Sequence, residues 1–263
     1  MTNTEDRGFG TYMTVNGARL FVDPTDKRAE ALLRRGGQLH PAAIRLWQCA
    51  IHEAAWDWIV DIGANYGEML VGAELPAGTD VAAVEPNPRV LPYLVHSLRH
   101  AVPHAKVLPC AVSDVTGSVT MYEDLTWSGN STLAGEWIAD RAYHTWRRIG
   151  VQALSLDSLF AEIGVERDHA VLMKMDIEGY EAKVLRSALG RLRAAPQCAV
   201  LVEIVRFSEA ELVWLLNEFV VSLLDARRDI LVDMGDVSVA DFRTLIGRGD
   251  VYRRDVIAVP RKR

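Results

Sequence analysis

The sequence predicts an α/β fold built around a parallel sheet. From residue 56 onward, short and almost continuously apolar runs follow one another, and amphipathic segments separate them. Parallel strands show such runs because helices cover both faces of their sheet. The segments between the runs repeat their apolar residues at helical spacing, as crossover helices do. The alternation therefore predicts one sheet with helices packed against it.

Five apolar runs are predicted as the first strands of the sheet. They are WDWIV (56–60), VAAVE (81–85), AKVLPCAV (105–112), VLMKMD (171–176) and AVLVEI (199–204). The stretches 89–101 and 178–192 have helical spacing and are predicted as crossover helices. Near the end of the chain, EFVVSLLD (218–225) and VYRRDVIAVP (251–260) are predicted as two further strands, paired in a hairpin at the sheet edge.

Two segments do not follow the alternation. Residues 1–50 contain a predicted hairpin, TYMTVNGARLFVD, with Asn16-Gly17 at its turn, and then two helical patterns. We interpret them as an N-terminal hairpin and helical cap, followed by the main domain over 51–263. Residues 124–150 form a long aromatic-rich insertion. Insertions of this length in a compact domain are often functional, so this one is predicted to be a lid over a binding site.

Composition excludes some classes of partner. The formal charge of −6 argues against a surface that neutralises a phosphate backbone, so no nucleic-acid partner is expected. No stretch approaches the roughly 20 apolar residues that a membrane span requires. The three cysteines are widely spaced and form no metal-ligand pattern, which favours reduced thiols in the cytoplasm. A homodimer is the default expectation for such a chain.

The stretch WDWIVDIGANYGEML (56–70) has the residues of a ligand-binding turn. Gly63 and Gly67 follow a strand where the chain must turn sharply and let a ligand approach the backbone. Asp61 lies at the carboxyl end of that strand, where open α/β sheets bind ligands. Glu85 ends the next strand, and an acid in that place accepts hydrogen bonds from both hydroxyls of a ribose. The sequence therefore predicts a cofactor that contains a nucleoside.

The glycine pattern selects among such cofactors. The stretch reads G-A-N-Y-G and lacks the middle glycine that a dinucleotide pyrophosphate needs. The acid before the first glycine suits a ligand with an amino group, and S-adenosylmethionine carries an ammonium, a sulfonium and a ribose. Two alternative functions on the same fold are a nicotinamide-dependent oxidoreductase and a non-catalytic binding module. For the motif itself, the alternative is a strand-to-helix turn whose acids are incidental and bind no ligand.

Five segments resemble one family in their order and spacing. They are VDIGANYGEM, AVEPNPRVLPYL, SLDSLFAEIGV, VLMKMDIEGYEAKVLRSA and VLVEI, within about residues 55–205. The chain resembles the FkbM-type S-adenosylmethionine-dependent methyltransferases, and its most specific part is a Lys, an Asp two residues later and an E-G-x-E signature. The resemblance implies a doubly wound, mostly parallel sheet of seven strands with the last one antiparallel. It also implies methyl transfer to a hydroxyl oxygen.

The resemblance also implies which residues bind the cofactor. The family's cofactor positions correspond to Asp61, Gly63, Asn65, Gly67 and Glu85. Asn87 would lie beside the ribose. The stretch after the third strand would supply neighbours of the adenine, at Ala111, Val112 and Ser113.

An alcohol is a poor nucleophile, so the transfer needs a general base or a divalent metal. Asp176 and Glu203 close the fourth and fifth strands, and acids at these two strand ends hold the metal in the sugar O-methyltransferases that this arrangement resembles. Magnesium prefers such oxygen ligands. The alternative is that these acids accept hydrogen bonds from the backbone or from Lys174 and bind no metal. Glu178 and Glu181 begin the next helix, where acids favour the positive end of the helix dipole, so a structural role is expected at least as much as a catalytic one.

The insertion supplies the remaining candidates. Of the seven histidines, His40 and His144 are not assigned to outer helices or distant loops. We select His144 as the candidate general base beside Asp176, because it lies in the predicted lid. Aromatic residues of the insertion can pack against the C–H faces of a sugar, or form a small core that keeps the lid folded. The predicted acceptor is a hydroxyl of a sugar, an oligosaccharide or a glycosylated natural product, with an amine or carboxylate acceptor as the alternative.

Overall fold

The computed structural model describes residues 10–141, 143–225, 227–246 and 254–262. Its strands are β1 (Tyr12–Val15), β2 (Ala18–Phe21), β3 (Trp58–Ile62), β4 (Asp80–Val84), β5 (Lys106–Leu108), β6 (Ala111–Ser113), β7 (Gly117–Asp124), β8 (Trp146–Ser155), β9 (Val171–Met175), β10 (Cys198–Glu203), β11 (Phe219–Asp225), β12 (Ile230–Asp233) and β13 (Asp255–Pro260). Its α-helices are α1 (Lys27–Arg34), α2 (Pro41–His52), α3 (Glu68–Val71), α4 (Leu91–Ala101), α5 (Leu156–Ile163), α6 (Glu181–Ala194), α7 (Glu209–Glu218) and α8 (Val239–Ile246). Two 3-10 turns, Ser128–Asn130 and Gly135–Arg141, lie between β7 and β8.

The central sheet confirms the predicted α/β fold. In the described part of the chain it has eight strands, in the order β12-β11-β13-β10-β9-β3-β4-β5. The strands from β10 to β5 are parallel to their neighbours, and the last strand, β13, is antiparallel to β10. The sheet therefore has the antiparallel last strand implied by the family resemblance, and it has one strand more than the expected seven, because β12 extends the edge beside β11.

The predicted edge hairpin is wrong. β11 and β13 do pair in antiparallel fashion, but β13 lies between β10 and β11, inside the sheet. Val256 and Ala258 of β13 are fully buried, whereas Ile230 of β12 is about half exposed. The apolar run of β13 buries both faces inside the sheet, while the short four-residue strand β12 occupies the edge.

The run AKVLPCAV, predicted as one strand, forms two. β5 belongs to the central sheet, whereas β6 pairs with β8 in a separate three-stranded sheet of order β6-β8-β7. Pro109 separates the two strands, and proline has no backbone donor to continue a sheet ladder. The chain therefore leaves the central sheet at this point and enters the smaller one.

Two apolar layers cover the central sheet. Along β3, Val60 and Ile62 pack into a core with residues of α5, α6, α7 and α8, while Ile59 packs into the opposite core with residues of α1 to α4. Alternate residues of a strand point to opposite faces, so both faces are buried. The layer of α1 to α4 includes Trp47 of α2. The segment predicted as an N-terminal cap thus contributes to the core of the sheet.

The N-terminal hairpin forms as predicted. β1 and β2 pair in antiparallel fashion around Asn16 and Gly17, which have φ values of +48° and +79°. Two successive residues with positive φ are typical of a tight hairpin turn that matches strand twist. The Asn16 side chain also donates to the Gly72 carbonyl at 2.6 Å, which ties the turn to the end of α3. Across the described ranges, no helix is both long and apolar enough to cross a bilayer.

Candidate active site

A cavity of about 500 Å³ opens at the carboxyl ends of the parallel strands. Ligand pockets commonly have volumes of about 300–1,000 Å³ and lie at this edge of open α/β sheets. The structure brings seven of the predicted site residues together in its wall: Gly63, Asn65, Glu85, Ala111, Val112, Asp176 and Glu203. The strand ends that were predicted to meet therefore do share one site.

Gly63 has a packing reason to be glycine. Its φ is +76°, and a Cβ atom at this position would lie 2.0 Å from the backbone oxygen of Asp176. Only glycine allows the ends of β3 and β9 to approach so closely. This contact brings the loop after β3 against the candidate catalytic acid.

Glu85 is held ready to accept hydrogen bonds. One of its carboxylate oxygens accepts from the backbone N–H of Asn65 and the other from that of Asn87, both at 2.8 Å. Burial raises the pKa of Glu85 to about 7, and the two backbone donors, with Arg28 and Lys174, oppose the shift. Each carboxylate oxygen has a second lone pair, so the group can still accept from two ribose hydroxyls.

Asp61 does not line the cavity. It is fully buried, and the ammonium of Lys174 contacts its Oδ1 at 3.3 Å. Burial raises the pKa of Asp61, while Lys174 opposes that shift. Lys174 does line the cavity and also reaches the Gly63 carbonyl at 3.3 Å and Asp176 Oδ2 at 3.5 Å. Among the described residues, the positive charge that pairs with Asp61 is therefore the ammonium of Lys174.

Three more predicted residues lie behind the cavity wall. Gly67 has a φ of +86° and packs on α4, where a Cβ would come within 2.9 Å of Leu94. Asn87 is buried and accepts from the backbone N–H of Arg89 at 3.0 Å. Ser113 is buried and donates to Asp114 at 3.0 Å. Their contacts shape the loops that hold the site.

Three carboxylates converge at one side of the cavity. Asp176, Glu178 and Glu203 each offer an oxygen, and these oxygens lie within 4.8 Å of one another. Arg206 donates to Glu178 through Nε at 3.0 Å, and Arg254 donates to Glu203 at 2.6 Å. Burial, with the charges of Asp176 and Glu178, raises the pKa of Glu203 to about 8. The chemistry of this donor set fits a hard cation with oxygen ligands.

The signature E-G-x-E shapes this cluster. Glu178 precedes α6 in a left-handed conformation, with a φ of +58°, which is uncommon for a residue other than glycine. The buried Glu181 accepts from the backbone N–H groups of Ile177 at 2.8 Å and Gly179 at 3.0 Å. Thr132 of the insertion donates to the Glu178 carbonyl at 2.8 Å. Glu181 therefore holds the turn, whereas Glu178 joins the cavity.

The insertion covers the cavity through one short stretch. Its residues from Trp127 to Leu133 all line the wall. Asp26 connects this stretch to the loop after β3, because it accepts from the backbone N–H of Ser128 at 3.2 Å and from the Tyr66 hydroxyl at 2.7 Å. Trp137 instead packs against Gly179 and Arg206. The insertion thus supplies both a lining surface and a small packed core.

The structure does not place His144 in the cavity wall. Its Nδ1 pairs with the buried Asp124, and its ring stacks on Trp146. Asp124 also accepts from the backbone N–H groups of Thr126 at 2.8 Å and Trp127 at 3.1 Å. The pair therefore stabilises the base of the insertion, which corrects our choice of His144 as a general base on geometric grounds.

Replacement of His144 by Asn is expected to change kcat by less than about tenfold and to raise the acceptor KM. A general base increases the reaction rate by about 100- to 10,000-fold. A residue that only supports the lid affects the binding of the acceptor instead. Steady-state kinetics with saturating cofactor distinguish these roles. If the variant instead turns over about 100-fold more slowly or worse, with KM unchanged, His144 would be restored as the base.

Residues from both ends of the chain complete the cavity. Arg28 and His40 line it from the N-terminal side, and Arg254 from the C-terminal side. Burial lowers the pKa of His40, and the nearby guanidinium groups of Arg254 and Arg28 lower it further. The sequence carried no local signal for these three residues, because only the folded chain brings them to the strand ends. Lys174 and Glu178 stood within the family signature, where Lys174 was considered as a donor to the strand-end acids and Glu178 as a residue with a structural or a catalytic role.

Comparison with known proteins gives the family. Residues 61–237, more than half of the chain, match the family model of the methyltransferase FkbM domain. No curated protein matches the sequence at a significant level.

Solved structures resemble the fold at low identity. A TehB-like SAM-dependent methyltransferase from Corynebacterium glutamicum is 11% identical, with 90% of this chain and 95% of that chain covered and a TM-score of 0.43. The plantazolicin methyltransferase BpumL, in complex with SAH, is 11% identical over 84% and 83% of the two chains, with a TM-score of 0.37. The mitomycin 7-O-methyltransferase MmcR is 15% identical over 89% and 58%, with a TM-score of 0.35. The assignment depends on the family model: the chain belongs to the FkbM family of methyltransferases.

Proposed function

We propose that this S-adenosylmethionine-dependent methyltransferase transfers its methyl group to a hydroxyl of a sugar, an oligosaccharide or a glycosylated natural product. The observation that supports this proposal is the position of Asp176. Its side chain is 37% exposed and lines the same cavity as Glu85, on the side of the three carboxylates. An acceptor hydroxyl in this cavity therefore meets a proton acceptor next to the cofactor loop.

The residues of the cavity fit the cofactor. Glu85 offers two oriented oxygens to the ribose, and Ala111 and Val112 form an apolar part of the wall for the adenine. When bound, S-adenosylmethionine supplies an electrophilic methyl group for in-line displacement. The chain aligns the acceptor in the cavity, and Asp176 takes the hydroxyl proton.

Magnesium is the proposed metal. Asp176, Glu178 and Glu203 would hold it, and it would lower the pKa of the acceptor hydroxyl and orient it. Arg206 donates to one oxygen of Glu178 and Arg254 donates to one oxygen of Glu203, so both carboxylates are fixed beside Asp176. Glu178 adds a third ligand to the two that the strand ends predicted.

Removal of divalent cations is expected to lower turnover on the order of 100-fold, and added Mg²⁺ is expected to restore it. The measurement is methyl transfer after EDTA treatment, with and without excess Mg²⁺. The variant Asp168→Asn is a matched control, because Asp168 is exposed and its cluster with Glu166 and His169 lies outside the cavity. Turnover that EDTA leaves unchanged would contradict the metal and leave Asp176 to act as a base alone.

The lid residues support a sugar acceptor. Trp127 lines the cavity, together with the polar residues Ser128, Asn130 and Ser131. Aromatic faces pack against the C–H faces of sugars, while amides and hydroxyls bind their hydroxyl groups. The ion pairs of Arg206 with Glu178 and of Arg254 with Glu203 add charged donors and acceptors to the cavity wall.

Calorimetric titration with S-adenosylhomocysteine, with NADH as the control ligand, is the first test. Binding of S-adenosylhomocysteine alone supports the proposal, whereas binding of NADH alone would revive the oxidoreductase alternative and binding of neither would favour a non-catalytic relative. Product analysis of methyl transfer to sugar acceptors then separates O-methylation from N-methylation or carboxylate methylation.

The cellular location and assembly remain predictions. The cytoplasmic location is proposed from the cysteine pattern of the sequence, in which Cys49, Cys110 and Cys198 are widely spaced. The proposed homodimer is tested by the molar mass in solution, and a monomer at working concentration would contradict it.

A further inference from the structure

A buried ion pair forms part of the cavity wall near the cofactor loop. Arg28 of α1 pairs with Glu68, the first residue of α3, and their side chains are only 12% and 10% exposed. Both residues line the cavity. The guanidinium of Arg28 also donates to the side-chain oxygen of Asn65 at 2.9 Å. The pair is therefore fixed at one place in the wall.

This pair has hydrogen-bonding capacity that the protein does not use. The second carboxylate oxygen of Glu68 is buried and has no hydrogen-bond partner among the described residues. An unsatisfied buried acceptor costs free energy and calls for an explanation, such as a ligand. The terminal torsion of a glutamate is soft, so either oxygen can turn toward the cavity. A guanidinium carries five N–H donors, and Asn65 and Glu68 are its hydrogen-bond partners within the described ranges.

Asn65 places the pair beside the ribose-binding acid. Its backbone N–H holds Glu85 at 2.8 Å, while its side chain accepts from Arg28. A ligand whose ribose binds Glu85 therefore lies close to Arg28 and Glu68, because Asn65 contacts both Glu85 and Arg28. Asp61, which the sequence suggested for the cofactor ammonium, lies behind Lys174 and does not line the cavity.

We propose that the Arg28–Glu68 pair binds the zwitterionic amino-acid end of the cofactor. The guanidinium of Arg28 receives the carboxylate, and the unpartnered oxygen of Glu68 accepts from the ammonium. A buried ion pair is complementary to a zwitterion, because each charge meets its opposite without a net change in buried charge. The inference rests on the S-adenosylmethionine dependence of the enzyme and assigns a cofactor role to Arg28, which lies outside the matched region 61–237.

Two ligands test the assignment. S-Adenosylhomocysteine has the amino-acid end, whereas 5′-methylthioadenosine has the same nucleoside and thioether sulfur without it. Calorimetric titration of the full-length chain is expected to show S-adenosylhomocysteine binding about 10- to 100-fold weaker in Arg28→Met and Glu68→Gln, because charged hydrogen bonds are lost. The affinity for 5′-methylthioadenosine is expected to change by less than about threefold, since that ligand does not reach the pair.

The matched control is Arg34→Met, which removes an exposed arginine of the same helix that pairs with Glu30. It is expected to bind both ligands as the wild type does. Binding of 5′-methylthioadenosine also shows that each variant has folded. An equal loss of both ligands in either variant would assign the pair a structural role and overturn the proposal, as would unchanged S-adenosylhomocysteine affinity. A wild type that binds neither ligand would contradict the cofactor itself.

Discussion

Replacement of Asp176 by Asn is expected to lower kcat by about 100- to 10,000-fold, the range that a general base contributes. The affinity for S-adenosylhomocysteine is expected to stay within about threefold of the wild type, because the asparagine keeps the backbone oxygen that packs against Gly63. Lys174 retains Asp61 as a partner in the variant, so the buried lysine is not left without a counter-charge.

Single-turnover kinetics and calorimetry on the same preparation separate the two effects. Asp168→Asn serves as the control, since Asp168 is exposed and lies outside the cavity. Equal losses in kcat and cofactor affinity would reassign Asp176 to cofactor binding. Turnover at the wild-type rate would exclude it as the base and direct attention to His40, which also lines the cavity.

Replacement of Glu85 by Gln or Ala is expected to weaken S-adenosylhomocysteine binding by about 10- to 100-fold, through loss of charged hydrogen bonds to the ribose. Glutamine keeps the side-chain volume but offers one oxygen, and its amide group would oppose the N–H of Asn65 or Asn87. Unchanged affinity in both variants would contradict the ribose assignment. The measurement is calorimetric titration at a fixed pH of about 8, where the wild-type carboxylate is ionised.

The raised pKa of Glu85 gives this prediction a pH dependence. Burial raises that pKa from 4.5 to about 7, and Arg28 and Lys174 are the cations that oppose the shift. The ionised form accepts from both hydroxyls, so wild-type affinity is expected to increase as the pH rises through about 7. The pH response is expected to be absent in Glu85→Gln.

Ionisation of the Glu85 carboxyl group has opposite effects on the stability of the fold and on cofactor binding. Because the folded pKa is above the unfolded value, the contribution of Glu85 to stability is fully present below about pH 4.5 and is lost as the pH rises through about 7. The cofactor is thus expected to stabilise the protein most where Glu85 itself stabilises it least. Thermal unfolding with and without S-adenosylhomocysteine measures this difference.

Local patterns predicted the strands well, because apolar runs covered on both faces are a strong signal. β3, β4, β9 and β10 lie within or beside their predicted runs, and the acids at their ends meet at one edge. The position of β13 inside the sheet could not be read from its sequence, because it depends on long-range pairing with β10.

The candidate site also contains some residues whose roles the sequence predicted and others whose roles it did not. Glu85 and Gly63 follow from the motif, because their roles depend on the strand-to-helix turn in which they lie. The burial of Asp61 behind Lys174 depends on register between β3 and β9, where the two residues are direct neighbours. Glu178 lines the cavity with its backbone in a left-handed conformation, which its residue type does not favour and the sequence did not indicate.

Some residues that line the cavity lie inside the region that matches the family model, and others lie outside it. The glycine loop and the strand-end acids lie within the matched region 61–237, whereas His40 and Arg254 lie outside it. Substitutions in these outer segments can reshape the pocket without changing the residues that define the family. Because Arg254 donates to Glu203, changes in the outer segments can also alter the setting of a strand-end acid that the family region supplies.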